Sequence, residues 1–395
     1  FILGMGLYFV PRLVSVKLAR PDLAPYAFSL LACGIFLRTL AQPLVAISPA
    51  AGAVWQVAWI VSALAELAGL FIVGRMLFAT RKIIPASALA RDSHIYPLIP
   101  FVLIAVGSLF LSYTGNALGT LAAVLAARNT LAPAWDDVII HLMLYGLAVP
   151  MAVVFSIRNL PLFLRLAPPP RALLRPLAAA YVLGLVLRVV PDLAIILNLP
   201  LPLPNTIEGV GALVTAVVIL IFIWRLDLHR GRAPWTTLRA PNTRPDLDHL
   251  RRPTRAAYPD AGEYGRFELL IYSAYIWLAI SALLEIAHVV FGFAQAGVVI
   301  PIDAVRHSLT LGFVTMLIFG MAVRMAPGFS GKRRVADPSL VVWTFLLGNL
   351  AALLRIVPLF FVTNPLSLSP YGLSGIIGWF AVATLAVNLV QTFRS

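Results

Sequence analysis

Eleven apolar segments, separated by short polar stretches, constrain this sequence more than any other feature. A helix needs about 20 mostly apolar residues to cross a bilayer, and all the segments except the first reach or approach that length. Because lipid offers backbone groups no water, we expect each segment to be a helix. Two further apolar pieces, 117–126 and 197–204, are too short to span alone. The eleven segments lie at about 1–11, 24–46, 52–79, 95–114, 137–158, 172–190, 204–228, 267–294, 302–326, 339–361 and 369–393.

The composition points to the same class of protein. Apolar residues make up 61% of the chain and charged residues 12%, whereas soluble domains have about 45–50% and about 25%. This balance excludes a water-soluble enzyme, a disordered protein and a nucleic-acid-binding protein. It predicts an all-α polytopic membrane protein. The single cysteine, Cys33, excludes an internal disulfide.

The basic residues predict the orientation in the membrane. Lys and Arg outnumber Asp and Glu by 30 to 16, which gives a net charge of +14, and they concentrate in alternate loops. By the positive-inside rule these loops are cytoplasmic, so we expect a multi-pass protein of a bacterial cytoplasmic membrane. The short first segment would then have to start on the outer side, and we expect the sequence to lack part of its N-terminal region.

The longest connection between segments, 229–266, is rich in Arg and Pro. It is either a plain solvated linker near lipid headgroups or a cytoplasmic docking surface for a partner. The partners that we expect are the lipid bilayer and, through this loop, the redox subunits of a larger membrane complex.

An internal repeat relates two of the segments. Residues 137–163 and 303–329 match at a constant offset of 166, and the identities fall on residue types that are rare inside membranes. The next helix continues the match at an offset of 167, and parts of residues 1–38 supply a third copy. The principal identities of the first pair are Asp137/Asp303, His141/His307, Gly146/Gly312, Arg158/Arg324, Pro161/Pro327 and Phe163/Phe329.

The repeat predicts three quasi-equivalent quartets of helices. Each would contain a lead helix, a His helix, an Arg helix and a closing helix, and the first quartet would lack its lead helix. We expect quartets at 1–94, 95–228 and 267–395, with the loop 229–266 between the second and the third. About eleven of an expected twelve helices would then be present.

The repeated histidines are the first candidates for metal ligands. His141 and His307 lie about one turn inside the outer ends of their helices, and Asp137 and Asp303 precede them by four residues. Residues four apart share a helical face, so each carboxylate could accept one imidazole N–H and leave the other nitrogen for a metal. Alternatively, each pair only packs at a helix end. His288, three residues after Glu285, is either a third ligand or an interfacial histidine.

Intramembrane charges are the second candidates. Arg38, Arg188 and Arg355 lie in the outer thirds of their helices, where a cation normally has a partner. They hold the carboxylates of a cofactor such as haem, pair with the two aspartates, or extend along the helix to the outer membrane surface. Glu66, in the middle of its helix, could serve a proton path or be a hydrogen-bonded structural acid.

A family resemblance is carried by the third quartet. His307-Ser-Leu-Thr-Leu-Gly312, Gly320-Met-Ala-Val-Arg324 and Gly331-Lys332 resemble the His-Ala-Leu-Thr-x-Gly, Gly-x-Met-x-x-Arg and Gly-Arg elements of the NnrS family. The stretch from His141 to Gly146 is similar to that family's His-Glu-Met-Leu-x-Gly element, with Leu142 in place of the Glu. The resemblance implies a bacterial membrane protein that contains haem and copper and is linked to nitric oxide stress.

The expected quartets also resemble subunit I of the haem–copper oxidases. That subunit has twelve helices in three quartets, and its metal-ligating histidines are on helices two, six and ten. In a count restored to twelve, His141 and His307 are on helices six and ten. The counterpart of the copper-ligating seventh helix, 172–190, has no histidine. The resemblance therefore implies a haem-only, partial copper or empty site rather than oxygen reduction.

Two functions follow from these features, and whether either is enzymatic stays open. The first is an NnrS-like protein that binds haem, copper or both through His141 and His307 and acts in nitric oxide response or membrane electron transfer. The second is a cofactor-free accessory or scaffold subunit of a respiratory or photosynthetic complex. A transporter is a weaker third reading, because the charges lie in the outer third rather than at the midplane.

Overall fold

Eleven helices make up nearly all of the computed structural model. It describes residues 2–13, 16–47, 52–85, 95–164, 166, 168–228, 264–295, 297–332, 334–361 and 368–395, and these described residues contain no strand. We number the helices α1 Ile2–Leu13, α2 Ala24–Ile47, α3 Gly52–Arg81, α4 Ile99–Leu125, α5 Pro133–Leu164, α6 Arg171–Ile196, α7 Pro204–Arg225, α8 Phe267–Phe293, α9 Ile302–Phe329, α10 Pro338–Ile356 and α11 Leu368–Arg394.

The predicted fold class is confirmed. Ten of the helices, α2 to α11, are long and apolar enough to cross a membrane. The chain is therefore an all-α, multi-pass membrane protein. Within the described residues, the largest difference from the expected bounds is in α4: the piece 117–126 is not separate, because α4 continues through it to Leu125. Small residues such as Gly119, which packs against Trp135, let one face of this last part of α4 pack against α5. Helices α5 and α6 also run on, to Leu164 instead of 158 and to Ile196 instead of 190.

Local chemistry fixes several helix ends. Pro133 and Pro338 open their helices, where a proline costs no hydrogen bond because the first N–H groups of a helix are unpaired anyway. Asp337 caps α10 by accepting a 2.8 Å hydrogen bond from the Ser339 amide. Arg81 is in the last turn of α3, where a cation is favourable to the helix dipole.

The outer surface of the helices is apolar, as a lipid-facing surface must be. Large side chains such as Phe71, Trp343 and Trp379 are more than half exposed. In water such a continuous apolar surface would favour aggregation, whereas lipid tails are as apolar as the side chains themselves. The polar groups are instead concentrated inside, where Glu66 and Arg188 are almost fully buried.

The chain divides into two compact units. Unit one contains Phe1–Val154 and Arg171–Gly211, and unit two contains Phe155–Pro170 and Ala212–Ser395. In unit one, α2 packs along α3, and α4 packs against the first half of α5. In unit two, α8 packs against α9, and α10 packs along α11. The division into three quartets stays a prediction.

The two matched His helices share one local irregularity. A stretch of π-helix begins directly after each histidine, at Leu142–Ala148 after His141 and at Ser308–Thr315 after His307. Both stretches contain the matched glycine. A side chain at Gly146 would collide with Ser108 of α4, and one at Gly312 would collide with Trp277 of α8. π-Helical turns often mark functional positions, so the backbone draws attention to the same histidines as the sequence does.

Candidate functional site

His307 opens onto a cavity in unit two that is formed by α9, α10 and α11. The cavity has a volume of about 570 Å³, within the range of small-molecule and cofactor sites. We call it the His307 cavity. Its polar lining includes Thr310 and Arg355, and its apolar lining includes Phe319 and Trp379. Two of the predicted site residues, His307 and Arg355, are thereby brought together.

The contacts of His307 define where its lone pair is. The Nε of Arg355 lies 3.4 Å from His307 Nε2 and donates to it. Because a guanidinium N–H can only donate, Nε2 must be the acceptor, and the ring proton of the neutral imidazole is on Nδ1. Tyr371 Oη lies 3.3 Å from the same Nε2. The lone pair that a metal would take is therefore the one that faces Arg355 and Tyr371.

Arg355 is held in place by an aromatic ring. Its guanidinium carbon lies 3.7 Å from the centre of the Tyr371 ring, which is cation–π geometry. The ring also meets His307 edge to face, with 6.2 Å between the ring centres. Tyr371 thus orients both polar residues, although sequence reasoning did not select it. Asp303 is exposed before His307, and its pairing with that histidine stays a prediction.

Three glycines without side chains line part of the His307 cavity. Gly348 of α10 and Gly375 and Gly378 of α11 all line it. A Cβ atom added at Gly375 would meet no atom within 4 Å. A side chain at this position would therefore occupy open space rather than disturb the packing.

His141, the equivalent histidine in unit one, has acidic neighbours. Its Nδ1 lies 3.8 Å from Asp192 Oδ2, and its Nε2 lies 3.9 Å from Glu208 Oε1. Sequence reasoning selected Asp137 instead and missed both of these residues. For Asp192 a signal was available, because it follows Arg188 by four residues on one helical face. The role proposed for Asp137 stays a prediction.

Arg188 and Arg38 have different kinds of partner. The guanidinium carbon of Arg188 lies 3.9 Å from the centre of the Tyr145 ring in the π-helical stretch of α5. Arg38 Nη1 lies 3.4 Å from Glu66 Oε2 on the neighbouring helix. Neither contact was predicted, since we expected cofactor carboxylates or the two aspartates.

His288 forms a hydrogen bond with a backbone carbonyl group. Its Nδ1–H donates to the carbonyl oxygen of Ile300 at 2.6 Å, which links α8 to the residues directly before α9. Its role as a third ligand stays a prediction. Among the residues that the structure describes, no cluster of three or more His, Cys, Asp or Glu side chains is arranged to hold a metal ion. Most of the predicted docking loop, residues 229–263, lies outside the described residues.

Comparison with known families concerns unit two. A family model described as NnrS protein matches residues 265–393. Residues 265–393, about a third of the chain, are therefore similar to the NnrS family. The matched residues include α8 to α10 and nearly all of α11, and hence the whole lining of the His307 cavity. No curated protein matches the chain.

Other residues of the NnrS-like motif have structural roles. A Cβ atom at Gly320 would lie 2.9 Å from Ile271 Cγ1, so glycine allows α9 to approach α8 closely. The Arg324 guanidinium carbon lies 4.1 Å from the centre of the Tyr264 ring and 4.7 Å from that of Phe163. Gly331 has φ of +74°, a conformation that favours glycine. Of the motif residues, His307, Thr310 and Leu311 instead line the cavity.

Proposed function

We propose that this NnrS-like membrane protein binds haem in the His307 cavity and acts in nitric oxide response or membrane redox chemistry. The observation that carries the proposal is the cavity itself. It places one imidazole, whose Nε2 lone pair faces Arg355 and Tyr371, on the lining of an open cavity within the NnrS-matched residues.

The residues of the cavity fit such a group. Imidazole is a common haem iron ligand, and arginine suits the carboxylates of haem propionates. The apolar lining from Phe319 and Trp379 suits a flat macrocycle, and the missing side chain at Gly375 leaves room for it. His307 would hold the iron, and Arg355 would hold a carboxylate. When bound, haem iron with a single protein ligand supplies an open position for a diatomic gas.

Aromatic residues around the cavity fix the shape of the site. Tyr371 keeps the Arg355 guanidinium stacked and so keeps its charge beside His307. The buried Phe313, which is 1% exposed, closes the opposite side of the π-helical stretch against Tyr275. The shape of the site therefore depends on packing within unit two.

Copper is the other metal that an imidazole nitrogen suits, and His141 is the second candidate ligand. The basic ends of α3, α7 and α11, at Arg81, Arg225 and Arg394, fall on one side if the spans alternate in direction. By the positive-inside rule we propose that this side is the cytoplasm and that the membrane is a bacterial cytoplasmic membrane.

The test is an optical spectrum of the full chain, purified in detergent after haem supplementation, with iron and copper analysis of the same sample. We expect a Soret band that shifts on addition of nitric oxide. His307→Ala should remove the band while helicity and monodispersity are retained. Gly375→Leu should lower haem occupancy by filling the cavity, and Arg355→Gln should weaken binding without abolishing it.

His288→Ala and His141→Ala are the matched controls, because each removes an imidazole outside the His307 cavity. Both should keep the band. A band that survives His307→Ala but disappears in His141→Ala would refute the assignment to unit two. A folded sample without colour or metal would refute haem binding altogether and favour the accessory subunit, whose redox partners should then co-purify.

A further inference from the structure

A second polar cavity lies in unit one, among α2, α3, α4 and α5. Its volume is about 290 Å³, and its polar lining is Arg38, Glu66, Tyr113 and Asn116, with Ser112 and Thr39 beside them. We call it the Glu66 cavity. None of its lining residues lines the His307 cavity, and none lies within the NnrS-matched residues.

Glu66 stands at the middle of α3 and is 1% exposed. Its Oε2 accepts a hydrogen bond from Arg38 Nη1 at 3.4 Å, whereas its Oε1 is buried without a hydrogen-bond partner. Gly34 of α2 makes room for this side chain, because a Cβ atom there would lie 2.7 Å from Glu66 Cγ. The fold thus accommodates a carboxylate at membrane depth and leaves one of its oxygens free to bind something else.

Asn116 of α4 is a second buried residue of this cavity with unpaired polar atoms. The residue is 2% exposed, and neither its amide nitrogen nor its amide oxygen has a hydrogen-bond partner. Buried polar groups are nearly always hydrogen-bonded, because an unpaired one loses its hydration without compensation. Two residues that are more than nine-tenths buried therefore offer one cavity an unused donor and two unused acceptors.

The opposite charges of Arg38 and Glu66 restrict the net charge of any ligand in the Glu66 cavity. Arg38 disfavours a metal cation beside Glu66, and the Glu66 carboxylate disfavours an anion beside Arg38. The other titratable group in the lining is Tyr113 of α4, while α5 contributes only Ile139 and Met143. The ligand that fits is small and neutral, and it both donates and accepts hydrogen bonds. Water has these properties, and the cavity is large enough for several molecules.

We propose that the Glu66 cavity is hydrated and that Glu66 is a proton-binding carboxyl group that takes up and releases a proton through this water. On uptake an O–H bond forms at Oε1 while an O–H bond of the hydrated proton breaks. On release the proton returns to water, so the step needs no oxidant or further reactant. The contact between Arg38 and Oε2 keeps the carboxyl group turned so that Oε1 stays available. The proposal requires neither haem nor copper.

Infrared difference spectroscopy of the full chain in lipid, recorded between alkaline and acid pH, tests the proposal. A protonated carboxylic acid has a C=O band that is separate from the carboxylate bands. We expect such a band to grow on acidification and to shift when H₂O is replaced by D₂O. Glu66→Gln should remove it. Glu285→Gln, which changes another buried glutamate, should leave it unchanged.

Asn116→Leu provides a second test that leaves Glu66 in place. It removes the unpaired amide, and we expect the water cluster to be lost with it. Exchange of the Glu66 carboxyl proton for deuterium, followed by the shift of its band in D₂O, should then become several-fold slower. The same variant decides the question if Glu66→Gln does not fold. A band that persists in Glu66→Gln would overturn the proton site. A Glu66 band that does not respond to D₂O, or an exchange rate unaffected by Asn116→Leu, would overturn the hydration.

Discussion

Gly312→Ala tests whether the π-helical stretch after His307 is fixed by packing. An added Cβ atom would lie 2.5 Å from Trp277 Cγ and 2.7 Å from Trp277 Cβ, distances that packed atoms do not tolerate. The indole cannot swing away easily, because Trp277 is 7% exposed and its Nε1 donates to Asn349 Oδ1 at 2.9 Å. The backbone of α9 or of α8 must therefore move.

The expected size of the effect is the balance of two terms. Overpacking a tight core costs about 1–3 kcal/mol, while replacing glycine by alanine inside a helix gains up to about 1 kcal/mol. We expect Gly312→Ala to lower the free energy of unfolding by about 1–2 kcal/mol. If the contact also positions His307, haem occupancy should fall in parallel.

Unfolding of the full chain in mixed detergent micelles, followed by Trp fluorescence and helical circular dichroism, measures the difference. Gly328→Ala is the matched control, because Gly328 is in the same helix and a Cβ atom there would meet no atom within 4 Å. It should be neutral or slightly stabilising. Equal unfolding midpoints for the two variants would refute the reasoning, since Trp277 would then have to yield without cost.

Two further predictions concern unit two. Arg324→Lys loses the flat guanidinium over the Tyr264 ring and should destabilise the protein by about 0.5–2 kcal/mol, measured by the same unfolding assay; an unchanged midpoint would contradict a structural role for the stacking. Hydrogen bonds from the Ser339 hydroxyl and amide hold the pKa of Asp337 below its ordinary value. Since the folded pKa is the lower one, this stabilisation is present above about pH 4 and is lost as the pH falls through the folded pKa; Asp337→Ala should therefore destabilise at neutral pH and become equivalent to the native chain in acid.

The helices could be predicted from the sequence because their signal is local. A run of about 20 apolar residues has few alternatives in lipid, so segments such as 52–79 and 267–294 match their helices within a few residues. The extension of α4 to Leu125 was missed because Gly115 and Asn116 interrupt the apolar pattern. Both face the protein interior in the structure, a fact that depends on what packs beside them.

The candidate site could be predicted only in part. His307 and Arg355 were selected because rare polar residues recur at fixed offsets, and they do lie together. Tyr371 and Glu208 were missed because each lies more than 60 residues from its histidine in sequence, on the closing helix. The π-helical turns were missed for a related reason: the packing of Gly312 against Trp277 is a tertiary contact.

The closing helix also explains why two similar histidines have different surroundings. At the offset of 167 that relates Arg188 to Arg355, Gly211 corresponds to Gly378, and Glu208 corresponds to Gly375. In unit one the glutamate at this position places its carboxylate 3.9 Å from the imidazole of His141.

In unit two the glycine at the same position leaves open space in front of His307. A histidine beside a carboxylate is suited to an ion pair, whereas a histidine beside an open cavity is suited to a ligand. The repeat therefore keeps the histidine in both units, and we infer that one residue on the closing helix, Glu208 or Gly375, decides which chemistry that histidine can serve.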